Sequence, residues 1–383
     1  MARSTWTIWG PSGQISNATI INASFRVGRA SYLDDFATNY ATITVRNNTG
    51  LYNNISPGAE FYFKNTYSTQ RFYFWVESIQ TDDTIDQDAA TATLTLFDSM
   101  GRLSKAQGSD FELLFSNPPT LIGLYYLFDD AVFQGYLVGA PQYDSSVLSL
   151  ASYLQGKPQY YLPDQIRQLS DQLNIFLTTE GTGYYMTDKV LTPVSRAFMA
   201  GYVPGYTFAG STATNKIMWD SLSRSNLGDL FANQTYVTYA RSDLPYTSTK
   251  RNSTSVSSYG VYEAAIQTNT PDRDAYATYY ANVLSNTAIQ SYKMRFSDFA
   301  QDEIALRTFE VQLRYLQVTL NSLQYTKPGV GSVTDRVRVE GYTVIINPGV
   351  TYYELDMSPG SIYDYLTLSN STNGRLNTGR LDF

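Results

Sequence analysis

The sequence predicts a mainly β fold with α+β insertions, in which two β-barrel or sandwich units flank a mixed helical middle region. Three observations lead there. Only 16% of the 383 residues are charged, against roughly 25% in an ordinary soluble domain, so Asn, Ser, Thr and 33 Tyr must help to solvate the surface. Thr and Tyr suit pleated, half-buried strands. Short segments near both ends alternate apolar and polar residues with a period of two, which places one set on each face of a strand. The chain also exceeds what one compact core usually holds. The expected organisation is an N-terminal β-barrel over 1–107, a mixed α+β region over 108–240, an exposed loop over 241–260, and a helix followed by a second β-barrel and a C-terminal arm over 261–383.

Along the chain, Thr42-Ile43-Thr44-Val45-Arg46 alternates and is followed by Asn47-Asn48-Thr49-Gly50, residues that tolerate left-handed turns, so a hairpin is expected. Arg71-Phe72-Tyr73-Phe74-Trp75-Val76 is apolar on both faces, as in a strand covered by a second layer or a neighbouring subunit. Thr91 to Leu96 sets Ala92, Leu94 and Leu96 on one face and threonines on the other. From about Gly108 prolines divide the chain. A helix is expected after Pro163, with Ile166, Leu169, Leu173 and Phe176 or Leu177 at helical spacing, and another over Pro271–Leu284, capped by Thr270 and ended by Asn286. Arg241 to Gly260 shows no period and reads as a loop. Phe309, Val311 and Leu313 alternate as a strand would, as do Val337 and Val339, while Leu316, Leu320 and Leu323 fit a helix or a strand equally. Val76-Glu77-Ser78-Ile79 leading to Leu94–Ser99 is echoed by Val339-Glu340-Gly341-Tyr342 leading to Tyr353–Ser358, which is consistent either with two related barrels or with hairpins of similar composition.

Composition narrows the chemistry. Cys and His are both absent, which excludes disulfides, thiolate nucleophiles, Ser-His-Asp triads and zinc sites built on Cys or His. A net charge of −7 without a basic cluster argues against a sequence-independent grip on nucleic acid. No run approaches the roughly 20 apolar residues of a membrane span, so no membrane insertion is expected. The start lacks a signal-peptide pattern, and secretory export is not expected. The acid pairs Asp34-Asp35, Asp82-Asp83, Asp129-Asp130 and Asp302-Glu303 raise glycoside hydrolysis, but adjacent acids on a strand face opposite sides, and acids beside turns are usually turn formers. Asp82, Asp83, Asp86 and Asp88 lack the spacing of a calcium loop. No enzyme activity, cofactor or metal is expected.

Several stretches, in order, resemble the minor tail or baseplate hub (tail-tip) proteins of long-tailed bacteriophages, related in fold to the contractile-tail hub. At the front these are Arg26-Val27-Gly28-Arg29, Asp34-Asp35-Phe36 and Ala41 to Tyr52. In the middle they are Leu230-Phe231-Ala232, Tyr236 to Arg241 and Tyr259-Gly260. At the end Asp335 to Gly341, Ile345 to Gly349, Leu355 to Pro359, Gly374-Arg375-Leu376 and Gly379 to Phe383 are similar to the family's second-barrel hairpin and tail. The family often carries His near Thr343 to Ile346, where this chain has none. The resemblance implies two tail-hub-type barrels and a structural part of the virion tail tip, assembled in the host cytoplasm. It would be a homotrimeric ring continuing the tail tube, with DNA passing through its lumen without specific binding. Its partners would be a distal tail or tube protein, the tape measure and tip or fibre proteins. The tyrosine pairs direct one ring of each outward, so Tyr126, Tyr161, Tyr185, Tyr280 and Tyr353 are candidate interface residues, joined by Leu381 and Phe383 on a polar arm that loose termini commonly dock on a partner. The other reading is a carbohydrate-binding or depolymerising receptor-binding tail protein, whose aromatics would stack on sugars.

Overall fold

A computed structural model describes residues 6–31, 34, 36–82, 84, 89–105, 183–187, 190–194, 207–208, 221–226, 231–239, 247–268, 281, 284–285, 290–300, 302–312, 319–327, 331–359, 376–377 and 380–381. In the first part strands β1 (Trp6–Gly10), β2 (Gly13–Gln14), β3 (Ile20–Gly28), β4 (Tyr40–Arg46), β5 (Glu60–Asn65), β6 (Arg71–Asp82) and β7 (Thr91–Phe97) lead into helix α1 (Ser99–Leu103). Short strands β8 (Gly183–Thr187), β9 (Val190–Val194) and β10 (Thr207–Phe208) come next, then β11 (Ser221–Asn226), β12 (Gln234–Tyr239), β13 (Thr247–Arg251), helix α2 (Ser253–Tyr259) and β14 (Glu263–Thr268). The last part holds β15 (Gln290–Ser297), a 3-10 turn over Asp298–Ala300, helix α3 (Glu303–Gln312), β16 (Thr319–Lys327), β17 (Gly331–Asn347), β18 (Val350–Pro359) and the two-residue strands β19 (Leu376–Asn377) and β20 (Arg380–Leu381). The mainly β class expected from the sequence is what folds.

The two β-rich ends do not stand apart. One sheet runs in the order β11-β15-β18-β17-β3-β4-β7-β6-β5-β1-β2, and β3 joins its halves by pairing antiparallel with β4 on one side and with the second half of β17 on the other. Each half contains the same four antiparallel strands in the same order, β4-β7-β6-β5 and β15-β18-β17-β16. The likeness extends to a bulge. Between β6 and β7 the register passes from Val76↔Leu96 to Ser78↔Thr95, leaving Glu77 over, and between β17 and β18 it passes from Val339↔Met357 to Gly341↔Asp356, leaving Glu340 over. The echo read from sequence places the first-strand residues correctly but sets Thr95 against Glu354, two positions from Asp356. A slip of two keeps every side chain on its own face, so the sequence pattern could not exclude it.

The core fills the inner face of this sheet. Ala92, Leu94 and Leu96 are fully buried, as their alternation predicts, and they meet Ile43, Val45, Phe25, Phe63 and Phe74 in one apolar cluster that continues through Phe296, Phe309, Val344 and Tyr353. Phe25 lies within 6 Å of four rings, Trp6, Phe63, Phe72 and Phe74, whose tilted and edge-on packing suits the ring quadrupoles.

Three expectations are corrected and one open reading is resolved. The turn after β4 does not close a hairpin, because β4 lies between β3 and β7. Buried Asn47 instead accepts from the Tyr52 amide at 3.1 Å and donates to Asn53, and Gly50 turns with φ +68, so the chain is tied into a longer loop that reaches β5 elsewhere in the sheet. Phe309 and Val311 belong to α3, not to a strand. Asp302 accepts from the amides of Ile304 and Ala305, and Ala305, Leu306, Phe309 and Glu310 form its buried face, so end capping and one packed stripe outweigh a five-residue alternation. Leu320 and Leu323 lie on β16, paired with β17. The segment 241–260, read as a loop, contains β13 and α2, with Asn252 accepting from the Ser255 amide as helix cap. Of the helix expected over Pro271–Leu284 only Ala281 and Leu284 are described, both helical and buried, and the helix expected after Pro163 lies outside the described residues.

Two consequences follow for stability. A Cβ at Gly341 would stand 2.4 Å from the carbonyl oxygen of Arg29 and 2.9 Å from that of Val27, both backbone atoms that cannot rotate away. Ser78 holds the matching place in the first half, where its side chain is exposed. Gly341→Ala should therefore cost about 3 kcal/mol or more, by prising β3 from β17, whereas Ser78→Ala should cost under about 1 kcal/mol. Chemical denaturation of the two variants checks this.

Asp98 caps α1, accepting from the Gly101 amide at 3.1 Å and from Asn39 Nδ2 at 3.0 Å, and burial raises its pKa from 3.8 to about 6 against the lowering effect of those hydrogen bonds. Because the folded value lies above the unfolded one, its stabilising contribution is complete below about pH 4 and is lost as pH rises through about 6. The loss is on the order of 3 kcal/mol. Asp98→Asn keeps a capping oxygen without the charge. The variant should be more stable than the parent at pH 7.5, with the difference fading by pH 4, as read from paired denaturation curves.

Candidate assembly surface

Of the seven residues expected at an interface, Tyr353 is placed in the core. It lies on β18 with no exposed surface, its ring stacked on Phe296 at 5.0 Å and edge-on to Phe309 at 5.8 Å. Its hydroxyl accepts from Trp6 Nε1 at 3.1 Å and donates to the buried Glu310 carboxylate, so it ties β1, β18 and α3 together. Within the Tyr352-Tyr353 pair the less buried ring is Tyr352, which lies under the Arg295 guanidinium at 4.3 Å. Alternation gives opposite faces to the two residues but does not say which face is inner. Tyr185 falls on β8 and Leu381 on β20, and Tyr126, Tyr161, Tyr280 and Phe383 lie outside the described residues.

Exposed apolar side chains gather at two other places. The first is the tip between α2 and β14. Phe231 stands edge-on to Tyr259 and Tyr262, at 5.8 and 5.0 Å, and Tyr259, Val261 and Tyr262 are each about half exposed. The tip is held from within. Asn233 is wholly buried, donates from Nδ2 to the Gly260 carbonyl at 2.7 Å and accepts at Oδ1 from the Tyr262 amide at 2.8 Å, while the Tyr262 carbonyl accepts from the Asn233 and Gln234 amides. Gly260 has φ +82, a conformation that other residues rarely take. The three-stranded sheet β13-β12-β14 carries this tip, and Arg251, Gln234 and Glu263 form one row across it. Glu263 accepts from Tyr236 at 2.7 Å and from Gln234 at 2.9 Å, and the bond from Tyr236 raises that hydroxyl's pKa. The signal for the tip was present in Tyr259-Gly260-Val261-Tyr262, a glycine set among apolar residues directly after a polar helix.

The second place is the outer side of α3. Ile304 and Val311, seven residues apart, lie on one face with Thr308 between them, and Phe299 precedes them on the 3-10 turn, all exposed. Asp302 and Glu303 border this face, and Glu303 pairs with Arg307 one turn on. A half-buried aromatic row, Trp9-Tyr62-Tyr73, also crosses the outer side of β1, β5 and β6, with Trp9 stacked on Tyr62 and Arg71 over Tyr62.

Two of the described acids hold the backbone. Asp302 caps α3, and buried Asp298 accepts from the Thr351 amide at 3.0 Å. Asp35, Asp83, Asp86, Asp88, Asp129 and Asp130 lie outside the described residues. Among the described residues no group of three or more acids is placed to hold a metal ion, and no helix is long and apolar enough to cross a membrane.

The fold is that of bacteriophage tail proteins. The tail protein from Neisseria meningitidis MC58 superposes with a TM-score of 0.61 at 9% identity, covering 94% of this chain and 98% of that one. The 43 kDa tail protein of prophage MuSo2 from Shewanella oneidensis gives 0.56 at 9% identity over the same shares, and prophage tail protein gp18 from Listeria monocytogenes EGD-e gives 0.52 at 8% identity, over 92% of this chain and 94% of its own. No family model and no curated protein matches the sequence. At such identities the likeness is one of fold, and at that level it bears out the tail-hub resemblance read from the sequence.

The Tyr353 bridge generates a prediction. Tyr353→Phe keeps the ring packing but leaves a buried indole N–H and a buried carboxylate each short of one partner, at a cost of about 2 kcal/mol. Tyr352→Phe should change stability by less than about 0.5 kcal/mol. Thermal denaturation of the pair tests the assignment.

Proposed function

We infer that this chain is a non-enzymatic structural subunit of a phage tail tip. It forms a closed ring of three on the tail axis that continues the tail tube and holds the tip proteins. The observation that carries the reading is the repeated four-strand unit with its matching bulges, within a fold shared with phage tail proteins. Three copies would present six similar β units, so a three-subunit ring would meet a six-fold tube without needing six chains, and closed cyclic symmetry leaves no interface unused. A net charge of −7 suits a lumen through which DNA slides without sticking. The absence of imidazole and thiol supports a role without hydrolysis. The partners in this reading are a distal tail or tube protein, the tape measure and tip or fibre proteins, and the place is the virion tail tip after assembly in the host cytoplasm.

Copy number in intact tails tests it. Quantitative mass spectrometry or imaging of the tail tip should give three copies. Six copies, or one, would overturn the ring of three.

A further inference from the structure

We propose that strand β11 of one copy adds to the free edge of β6, at residues 78–82, in the next copy, so that the sheet runs on from chain to chain. This specifies the ring contact and rests on the ring reading above.

The repeat inside the chain reaches one strand beyond the four-strand unit. β3 lies antiparallel beside β4, and β11 lies antiparallel beside β15, at the same end of each unit. The matching bulges align the units residue by residue. Thr95 corresponds to Asp356, so Thr42 opposite Thr95 corresponds to Lys293 opposite Asp356. Ser24 opposite Thr42 then corresponds to Ser223 opposite Lys293. The same bulges match Ser78 to Gly341, and hence Asp82 to Ile345.

One unit shows what its edge takes. Beyond its bulge β17 has left β16 and gives that edge to β3, with Ser24 opposite Ile345. β6 likewise leaves β5 at its bulge, but among the described residues no strand pairs with 78–82 on the side away from β7, and none pairs with β11 on the side away from β15. The β8-β9 hairpin comes near β6 without forming a ladder with it. Ser78, Gln80, Thr81 and Asp82 are exposed and Ile79 is half-buried. An open edge is a template for a further strand. The strand that suits this one is the counterpart of β3, which is β11.

Within one copy β11 and β6 stand apart in the sheet, with β15, β18, β17, β3, β4 and β7 between them, so the two edges meet across two copies. A contact that joins two different edges in the same sense at every interface closes a ring, whereas a two-fold contact would use one edge twice. Copying the β3-β17 register sets Ser223 against Asp82, Arg224 against Thr81, Ser225 against Gln80 and Asn226 against Ile79. The two joints differ in composition. Inside the chain Phe25 and Val27 face the buried Val344 and Tyr342, whereas Ile79 is the one apolar residue among the eight at the joint between copies. That second joint rests on backbone hydrogen bonds, which water satisfies equally in a separate chain. A lone copy therefore folds with this edge open, and the joint forms on assembly.

The chain has no cysteine, so introduced thiols report this contact alone. Opposed residues on antiparallel strands hold their Cβ atoms about 4.5–5.5 Å apart, and of two successive pairs one is of the closer kind that a disulfide spans. Two double variants of the full-length chain, Gln80→Cys with Ser225→Cys and Thr81→Cys with Arg224→Cys, are oxidised at high protein concentration and run on a non-reducing gel. The control, Gln80→Cys with Ser221→Cys, sets the thiols four positions out of register, about 13 Å apart along the strand. At least one double variant should link chains about tenfold more than the control, ending in a covalent trimer. Mixing the single variants Gln80→Cys and Ser225→Cys, or Thr81→Cys and Arg224→Cys for the other pair, should give dimers and nothing larger. The pairing is overturned if neither double variant links beyond the control, or if Gln80→Cys alone dimerises as well as the mixture. Links that close at a number other than three would sink the ring of three and still uphold the pairing, so the two readings fail separately.

Discussion

The antiparallel pairing of β3 with the second half of β17 is the constraint on which the remaining structure depends. It joins residues more than three hundred positions apart, from Gly341↔Gly28 to Ile346↔Ala23, and turns two four-strand units into one sheet with one core. Closing so long a loop costs entropy, and the return must come from contacts made only after closure. Those contacts are present. Beyond the ladder itself, Phe25 on β3 enters the aromatic cluster, and Trp6 reaches Tyr353 across the same seam.

The polar groups at the seam explain why the two halves join in one register. Arg29 donates to Glu340 at 3.1 Å, both largely buried, and the Arg29 amide donates to the Glu340 carbonyl. Arg26 reaches Asp356 at 2.6 Å, with Lys293 on its other oxygen at 3.7 Å. Burying such pairs adds little net stability, because desolvation offsets most of the attraction. Misplacing them would strand a charge, and that cost opposes any register but the observed one. The bulge at Glu340 contributes directly: the extra residue turns its carboxylate toward Arg29, while Gly341 lets the Arg29 and Val27 carbonyls approach.

The same logic separates core from surface among the aromatics. Aromatic residues make up 15% of the chain, and not all of them lie in the core. Some are covered by cations, as Arg29 lies over Phe36, Arg102 over Trp75 and Arg307 over Tyr67. Others remain displayed at the Tyr259–Tyr262 tip. With charged residues few, pairing cations with rings lets one side chain both solvate and cover apolar surface.

Strands whose two faces differ in polarity were legible in the sequence. Ala92, Leu94 and Leu96 point inward as read, and Phe72, Phe74, Trp75 and Val76 are buried while Tyr73 between them is half-buried. Local chemistry also identified the turn at Asn47–Gly50 and the likeness of Val76-Glu77-Ser78 to Val339-Glu340-Gly341. What the sequence misread was set by packing partners. Whether Tyr352 or Tyr353 faces the core depends on Trp6 and Glu310, and whether Phe309 lies on a strand or a helix depends on the Asp302 cap and on Phe296 packing against it. That β4 skips β5, the strand that follows it, and that β3 stitches the two ends into one sheet, follow from hydrogen bonds between backbones whose pattern is the same for any side chain. Sequence therefore determined which residues alternate and where the chain turns, and tertiary structure decided which strand lies beside which and which face is buried.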